Sequence, residues 1–111
     1  MKIEIYKAFE KERKRLHKRY KNINKDIIEL IQELKNNPQL GTDLGNGIRK
    51  VRMSIRDKKK GKSGGARVIT LLTQQNKEES VLGLHFIYDK SEHENILTKK
   101  INNIIANNLN S

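Results

Sequence analysis

The chain has 111 residues, with 24 Lys and Arg against 13 Asp and Glu, for a net charge of +11. That length suits one domain with a modest core, and the lack of cysteine excludes a disulfide scaffold, a thiol nucleophile and a zinc–thiolate site. Apolar residues make up only 34% and charged ones 33%, yet the apolar residues fall in periodic blocks, which predicts a folded chain.

The charge is uneven. Residues 1–36 hold eleven Lys/Arg and six Asp/Glu, residues 47–67 hold nine Lys/Arg with Asp57 as the only acid, and the remainder is slightly acidic. In the first zone Phe9, Leu16 and Tyr20 lie on one helix stripe. Asn22-Ile23-Asn24 interrupts it, and the side-chain oxygen of either Asn suits the cap of a second helix. Ile23, Ile27, Ile28, Ile31 and Leu34 form the apolar face of that helix, and Pro38 predicts its end at Asn36-Asn37. The pattern is a helical hairpin, with room for a short strand over Lys2–Tyr6 before it. Interleaved acids make a solvated face the plain account of the hairpin's charge.

After Gly41 the period changes from helical to alternating. Val51, Met53 and Ile55 alternate with Lys50, Arg52, Ser54 and Arg56, the signature of a half-buried strand, which predicts Lys50, Arg52 and Arg56 on one face. Residues 57–65, DKKKGKSGG, read as a flexible basic hairpin loop. Ala66–Thr73 is almost continuously apolar, which predicts a central strand covered on both faces. A polar turn over Gln74–Ser80 leads to a third strand, Val81–Tyr88. Ser91 and Glu94 stand at capping-box spacing before a final helix whose stripe is Ile96/Leu97, Ile101, Ile104/Ile105 and Leu109. The expected fold is α+β, a single domain over residues 1–111: the helical hairpin, a small, mainly antiparallel sheet of three to four strands, and a C-terminal helix.

Leu44-Gly45-Asn46-Gly47-Ile48-Arg49-Lys50-Val51-Arg52, followed by Gly61-Lys62-Ser63-Gly64-Gly65-Ala66-Arg67-Val68-Ile69, resembles the RelE/HigB toxins of bacterial toxin–antitoxin systems. The charged hairpin, the Asn-Pro-x-x-Gly turn and the third strand with its following helix extend the resemblance over most of the chain. It implies a RelE-like sheet flanked by helices and a ribosome-dependent endoribonuclease that cuts mRNA during translation. It also implies that the ribose 2′-OH of the RNA is the nucleophile, that neither metal nor cofactor takes part, and that an antitoxin protein is the cognate partner.

Cleavage through the 2′-OH requires a phosphate held in line, charge stabilisation, and proton movement. Arg suits the first two tasks, because its planar fork grips two phosphate oxygens and keeps its charge. Arg67 is the leading catalytic candidate: it opens an otherwise apolar strand, where an Arg must face a groove or find a partner, and it matches the Arg of the family's R-V-I motif. Ile69 and Leu71 share its face, which implies a face open at one end and covered further along. Lys50 and Arg52 lie on the neighbouring strand and align with the family's basic positions there, and the resemblance also places Lys90 near the groove. These four are the expected catalytic set. Arg49, pointing the other way by alternation, and Arg56, Lys58, Lys59, Lys60 and Lys62 are expected RNA contacts. Tyr88 is a candidate for stacking on a base, and His93, expected in the first turn of the last helix, for a neutral base. The last residues, 107–111, offer no C-terminal Tyr of the kind some family members use.

No apolar run approaches the roughly 18 residues that span a bilayer, and Met1-Lys2-Ile3-Glu4-Ile5 carries no signal-peptide apolar region. A soluble, cytoplasmic protein with no membrane partner is expected, with the ribosome and mRNA as polyanionic partners. Competing readings of the same fold are a ParE-like poison of DNA gyrase and a non-catalytic nucleic-acid-binding protein. Only five aromatic residues and no Trp weaken a binder driven by stacking alone.

Overall fold

Alternating and helical apolar spacing divide the chain into strands and helices that need one another to bury a face. The computed structural model describes residues 1–111. Its elements are β1 (Lys2–Ile5), α1 (Lys7–Arg19), α2 (Ile23–Asn36), β2 (Thr42–Gly45), β3 (Ile48–Met53), a 3₁₀ turn (Arg56–Lys58), β4 (Ala66–Gln74), β5 (Ser80–Asp89) and α3 (Thr98–Leu109). The strands form one sheet in the order β1-β5-β4-β3-β2. β1 runs parallel to β5, and every other pair is antiparallel. The apolar strand β4 is therefore central, as its composition predicts. No helix is long and apolar enough to cross a membrane.

The sheet carries a core on each face. On one side Phe9 and Leu16 of α1, with Ile23, Ile27, Leu30 and Leu34 of α2, pack on Val51, Met53, Val68, Leu82, Leu84 and Ile87. On the other, Ile101 and Ile105 of α3, with Ile96, pack on Ile69 and Tyr88, flanked by Leu71 and Phe86. The register of β4 on β5 passes from Ile69↔Phe86 to Thr70↔Leu84, so His85 is an extra residue, a β-bulge. The bulge resets the alternation, and that is how Leu82, Leu84 and Ile87 all reach the core under the helical hairpin.

The sheet has five strands where three to four were expected. β1 occupies the short segment left open by the pattern. β2 is an exposed four-residue edge, Thr-Asp-Leu-Gly, without apolar alternation; it joins β3 through Asn46 and Gly47, both at positive φ (54° and 81°). α2 ends at Asn36, as Pro38 predicts. Its first turn has no side-chain cap; instead the Asn22 amide donates to Asp57 Oδ1 at 2.9 Å. Ile28 lies one residue off the buried stripe and is exposed. Ser91 does not cap the last helix, which begins at Thr98. Its N–H and Oγ donate to Asp89 Oδ1 at 2.9 and 2.8 Å, so the carboxylate captures Ser91 in a tight turn. His93 accordingly sits in that turn and not in a helix, and Leu97 and Leu109 are left exposed.

Candidate active site

Strand register brings the basic residues of the second zone together. Arg52 stands opposite Arg67, and Arg67 opposite Tyr88, so the three form one row across β3, β4 and β5. Lys50 pairs with Ile69 one step along on the same face. Ile69 is covered by the α3 cluster, whereas Arg52 is exposed and Arg67, buried to 6% exposure, lies in the cleft lining beside it. The turn after β5 brings in Lys90, Glu92, His93, Glu94 and Asn95, and Thr42 of β2 completes a cleft of about 920 Å³.

Lys50, Arg52, Arg67 and Lys90 make no ion pair, while many of the other cations do. Of the two acids on the rim, Glu92 accepts two hydrogen bonds from the Arg15 guanidinium at 2.7 and 2.9 Å, which hold its carboxyl below the ordinary range. The cleft is left with a surplus of positive charge and few competitors for an incoming anion.

Arg67 is held by oxygens that carry no charge. Its Nη1 donates to the carbonyls of Lys62 and Ala66, both at 3.1 Å, and its Nη2 to that of Ser63 at 3.2 Å. Burial, then the charge of Arg52, lowers its pKa from the usual value, although a guanidinium keeps its proton in a protein. The Gly-Lys-Ser-Gly-Gly run makes this clamp possible. A Cβ on Gly65 would lie 2.1 Å from the Met53 carbonyl oxygen, so only glycine lets the loop press against β3. The Gly65 carbonyl in turn accepts the Lys90 N–H at 3.1 Å, which ties the turn bearing Lys90 to the loop that grips Arg67.

Behind the cleft Asp89 is fully buried. It receives Lys58 Nζ at 2.8 Å and the Tyr20 hydroxyl at 2.5 Å as well as Ser91. Burial alone would raise its pKa, but these donors outweigh it and hold the carboxyl well below the ordinary carboxylate range. One carboxylate thus joins α1, the basic loop and the end of β5 immediately before Lys90.

A family model described as "RelE toxin of RelE / RelB toxin-antitoxin system" matches residues 1–109. The chain belongs to the RelE toxin family. It is a toxin-antitoxin toxin, and its family implies an antitoxin as partner. No curated protein matches it.

In this RelE-family chain the expected RNA contacts divide sharply. Arg56 lies beyond the end of β3 and bonds Asp26 at 2.8 Å and Glu29 at 2.6 Å, so it is on the α2 side and not on the face of Lys50 and Arg52. Lys58 is no free loop cation: its side chain is 10% exposed and committed to Asp89. Lys62 pairs with Glu33 at 3.2 Å, and Arg49, on the opposite face by alternation, lies 3.6 Å from Asp43. Lys59 and Lys60 remain exposed outside the cleft. Tyr88 lines the cleft but is 1% exposed, with His93 edge-on to it at 6.1 Å, which leaves no open ring face for a base. Burial pushes the phenol up, which keeps it protonated beside Arg67. A second cleft of about 610 Å³, at the β1 end, is lined by charges of both signs, Lys2, Glu4 and Glu79, and lacks this concentration of cations.

Proposed function

We propose that the chain is a ribosome-dependent mRNA endoribonuclease whose nucleophile is the substrate's own 2′-OH. The observation that carries this reading is the open cleft in which Lys50, Arg52, Arg67 and Lys90 converge with no carboxylate partner. Arg52 and Arg67, adjacent across β3 and β4, suit the non-bridging oxygens of one phosphate. The 2′-oxygen attacks phosphorus while the bond from phosphorus to the 5′-oxygen breaks. One group takes the 2′-OH proton and another gives a proton to the leaving 5′-oxygen, so the products are a 2′,3′-cyclic phosphate and a 5′-OH. Lys50, Lys90, Tyr88 and His93 line the same cleft and are the proton carriers at hand. Preorganised positive charge is the largest expected contribution, on the order of 10²–10³-fold for each donor, and positioned proton transfer adds about 10²–10⁴-fold.

Primer extension on an mRNA, with and without translating ribosomes, tests the proposal on the wild type and Arg67→Ala. New 5′ ends that arise only with ribosomes and vanish in the variant are expected. Intact mRNA together with a DNA-damage response in cells would replace this reading with gyrase poisoning.

A further inference from the structure

The second cleft, at the β1 end of the sheet, takes no part in the proposed chemistry. Strand register builds it: Glu4 of β1 stands beside Gly83 of β5, and Gly83 beside Leu71 of β4. Gly83 therefore leaves bare backbone between a carboxylate and an apolar side chain. Val81 and Leu109 add apolar surface, and His85 lines the same cleft.

His85 is 1% exposed, yet only one of its ring nitrogens is satisfied. Asn108 Oδ1 accepts the Ala8 N–H at 3.2 Å, and its Nδ2 donates to the His85 carbonyl and to His85 Nδ1, both at 3.0 Å. Nδ1 is thus an acceptor, and the ring proton sits on Nε2. No protein group accepts that N–H. Thr70 Oγ1 is the one fully enclosed side-chain polar atom without a hydrogen bond, so His85 Nε2–H reaches the cleft. Its path runs over Gly83, where a Cβ would lie 2.8 Å from Nε2 and 2.9 Å from the Tyr6 ring. A buried donor so aimed is complete only when an acceptor enters.

Glu4 supplies the opposite chemistry. It accepts the Tyr6 hydroxyl at 2.7 Å and lies 3.3 Å from the Lys2 ammonium. A carboxylate has about four lone-pair sites, so two remain for a ligand. We infer that this cleft binds a guanine base, with O6 accepting from His85 Nε2 and with N1–H and the N2 amine donating to Glu4. Guanine carries one acceptor followed by two donors along one edge, whereas adenine and cytosine offer the carboxylate a single amine, and hypoxanthine lacks the N2 amine. A flat ring also suits the glycine floor and the apolar surface of Leu71, Val81 and Leu109. The site is separate from the basic cleft: Gly83 and Tyr88 lie five residues apart on β5, roughly 15 Å, with the α3 cluster between them. It stands whether or not the other cleft cuts RNA.

Guanosine is the probe, because it has no phosphate to be drawn to the basic cleft. Its affinity is measured by titration calorimetry beside inosine and adenosine, on the wild type, Glu4→Gln, His85→Phe and Arg67→Ala. Guanosine should bind the wild type at least about tenfold more tightly than either analogue. Glu4→Gln and His85→Phe should each weaken it by at least about tenfold. Gln still accepts the Tyr6 hydroxyl and Phe keeps a ring on Tyr6, so circular dichroism should show both variants folded. Arg67→Ala should bind guanosine as the wild type does. Guanosine monophosphate and the RNA tetranucleotide AAGA are then compared, counting only the binding that Glu4→Gln abolishes. Either order of affinity supports the site and identifies its source as a free nucleotide or an RNA strand. Equal affinity for guanosine and adenosine, no binding of guanosine at millimolar concentration, or wild-type binding by folded Glu4→Gln and His85→Phe would each overturn the inference.

Discussion

Arg52, exposed, and Arg67, buried, are direct cross-strand neighbours on the α3 face of the sheet. Like charges so placed destabilise a strand pair by several tenths of a kcal/mol, and no carboxylate relieves them. Under the proposed function, a phosphate that bridges the two would remove the repulsion, so the cost to the fold would also drive its binding. Arg52→Gln should therefore raise stability by roughly 0.2–1 kcal/mol in urea unfolding while it lowers cleavage by about 10²-fold or more. Sulfate should raise the thermal midpoint of the wild type more than that of the variant.

The buried carboxylate of Asp89 anchors Lys58, Tyr20 and Ser91. Asp89→Ala leaves the Lys58 ammonium buried and unpaired, an expected loss of about 3–5 kcal/mol. The folded pKa lies below the ordinary value of 3.8. The stabilisation is thus complete above that value and is lost as pH falls further toward the folded pKa. Acid unfolding of the wild type should show this decline below about pH 4, and Asp89→Asn should flatten it.

His85 predicts a separate window. Asn108 accepts the Ala8 N–H through Oδ1 and donates through Nδ2 to the His85 carbonyl, so the same Nδ2 must also donate to His85 Nδ1 at 3.0 Å. The ring is therefore neutral with its proton on Nε2, and it stacks on Tyr6 at 4.3 Å between centroids. Burial lowers its pKa from 6.5 to about 4. Between these values the unfolded chain binds a proton that the folded chain refuses, so stability falls as pH drops from about 6.5 to about 4, by roughly 2–3 kcal/mol. His85→Phe keeps a ring on Tyr6 and should remove this slope, at a cost of about 1 kcal/mol at neutral pH for the lost hydrogen bond.

Gly65 sets the distance between the basic loop and β3. Gly65→Ala forces its Cβ against the Met53 carbonyl and must move the loop that clamps Arg67 and Lys90. Cleavage should fall at least tenfold with the protein still folded, as near-attack geometry is lost; circular dichroism beside a cleavage assay reads both.

Local rules carried the central strand, the helical hairpin and the end of α2, because each follows from spacing or from Pro38. They also brought Lys50, Arg52 and Arg67 to one face, since alternation and antiparallel pairing suffice for that. What stayed hidden depends on partners distant in sequence. Lys58 looks like its loop neighbours until Asp89, 31 residues away, is placed beside it, and Arg56 leaves the groove face because Asp26 and Glu29 of α2 draw it away. The His85 bulge is equally invisible, since it exists only in the register of β5 on β4. Ser91 and Glu94 have capping-box spacing, but the buried Asp89 carboxylate competes for Ser91 and wins.

The proposed catalyst is a set of four cations without carboxylate partners, Lys50, Arg52, Arg67 and Lys90. It is tested most directly by single-turnover cleavage of an mRNA on programmed ribosomes, with Arg52→Ala and Arg67→Ala set against the exposed-loop control Lys59→Ala. The two cleft variants should each lose at least about 10²-fold in rate and the control no more than a few-fold, with product ends carrying a 2′,3′-cyclic phosphate. Wild-type rates from folded Arg67→Ala, or product ends that carry a 3′-OH, would overturn this reading.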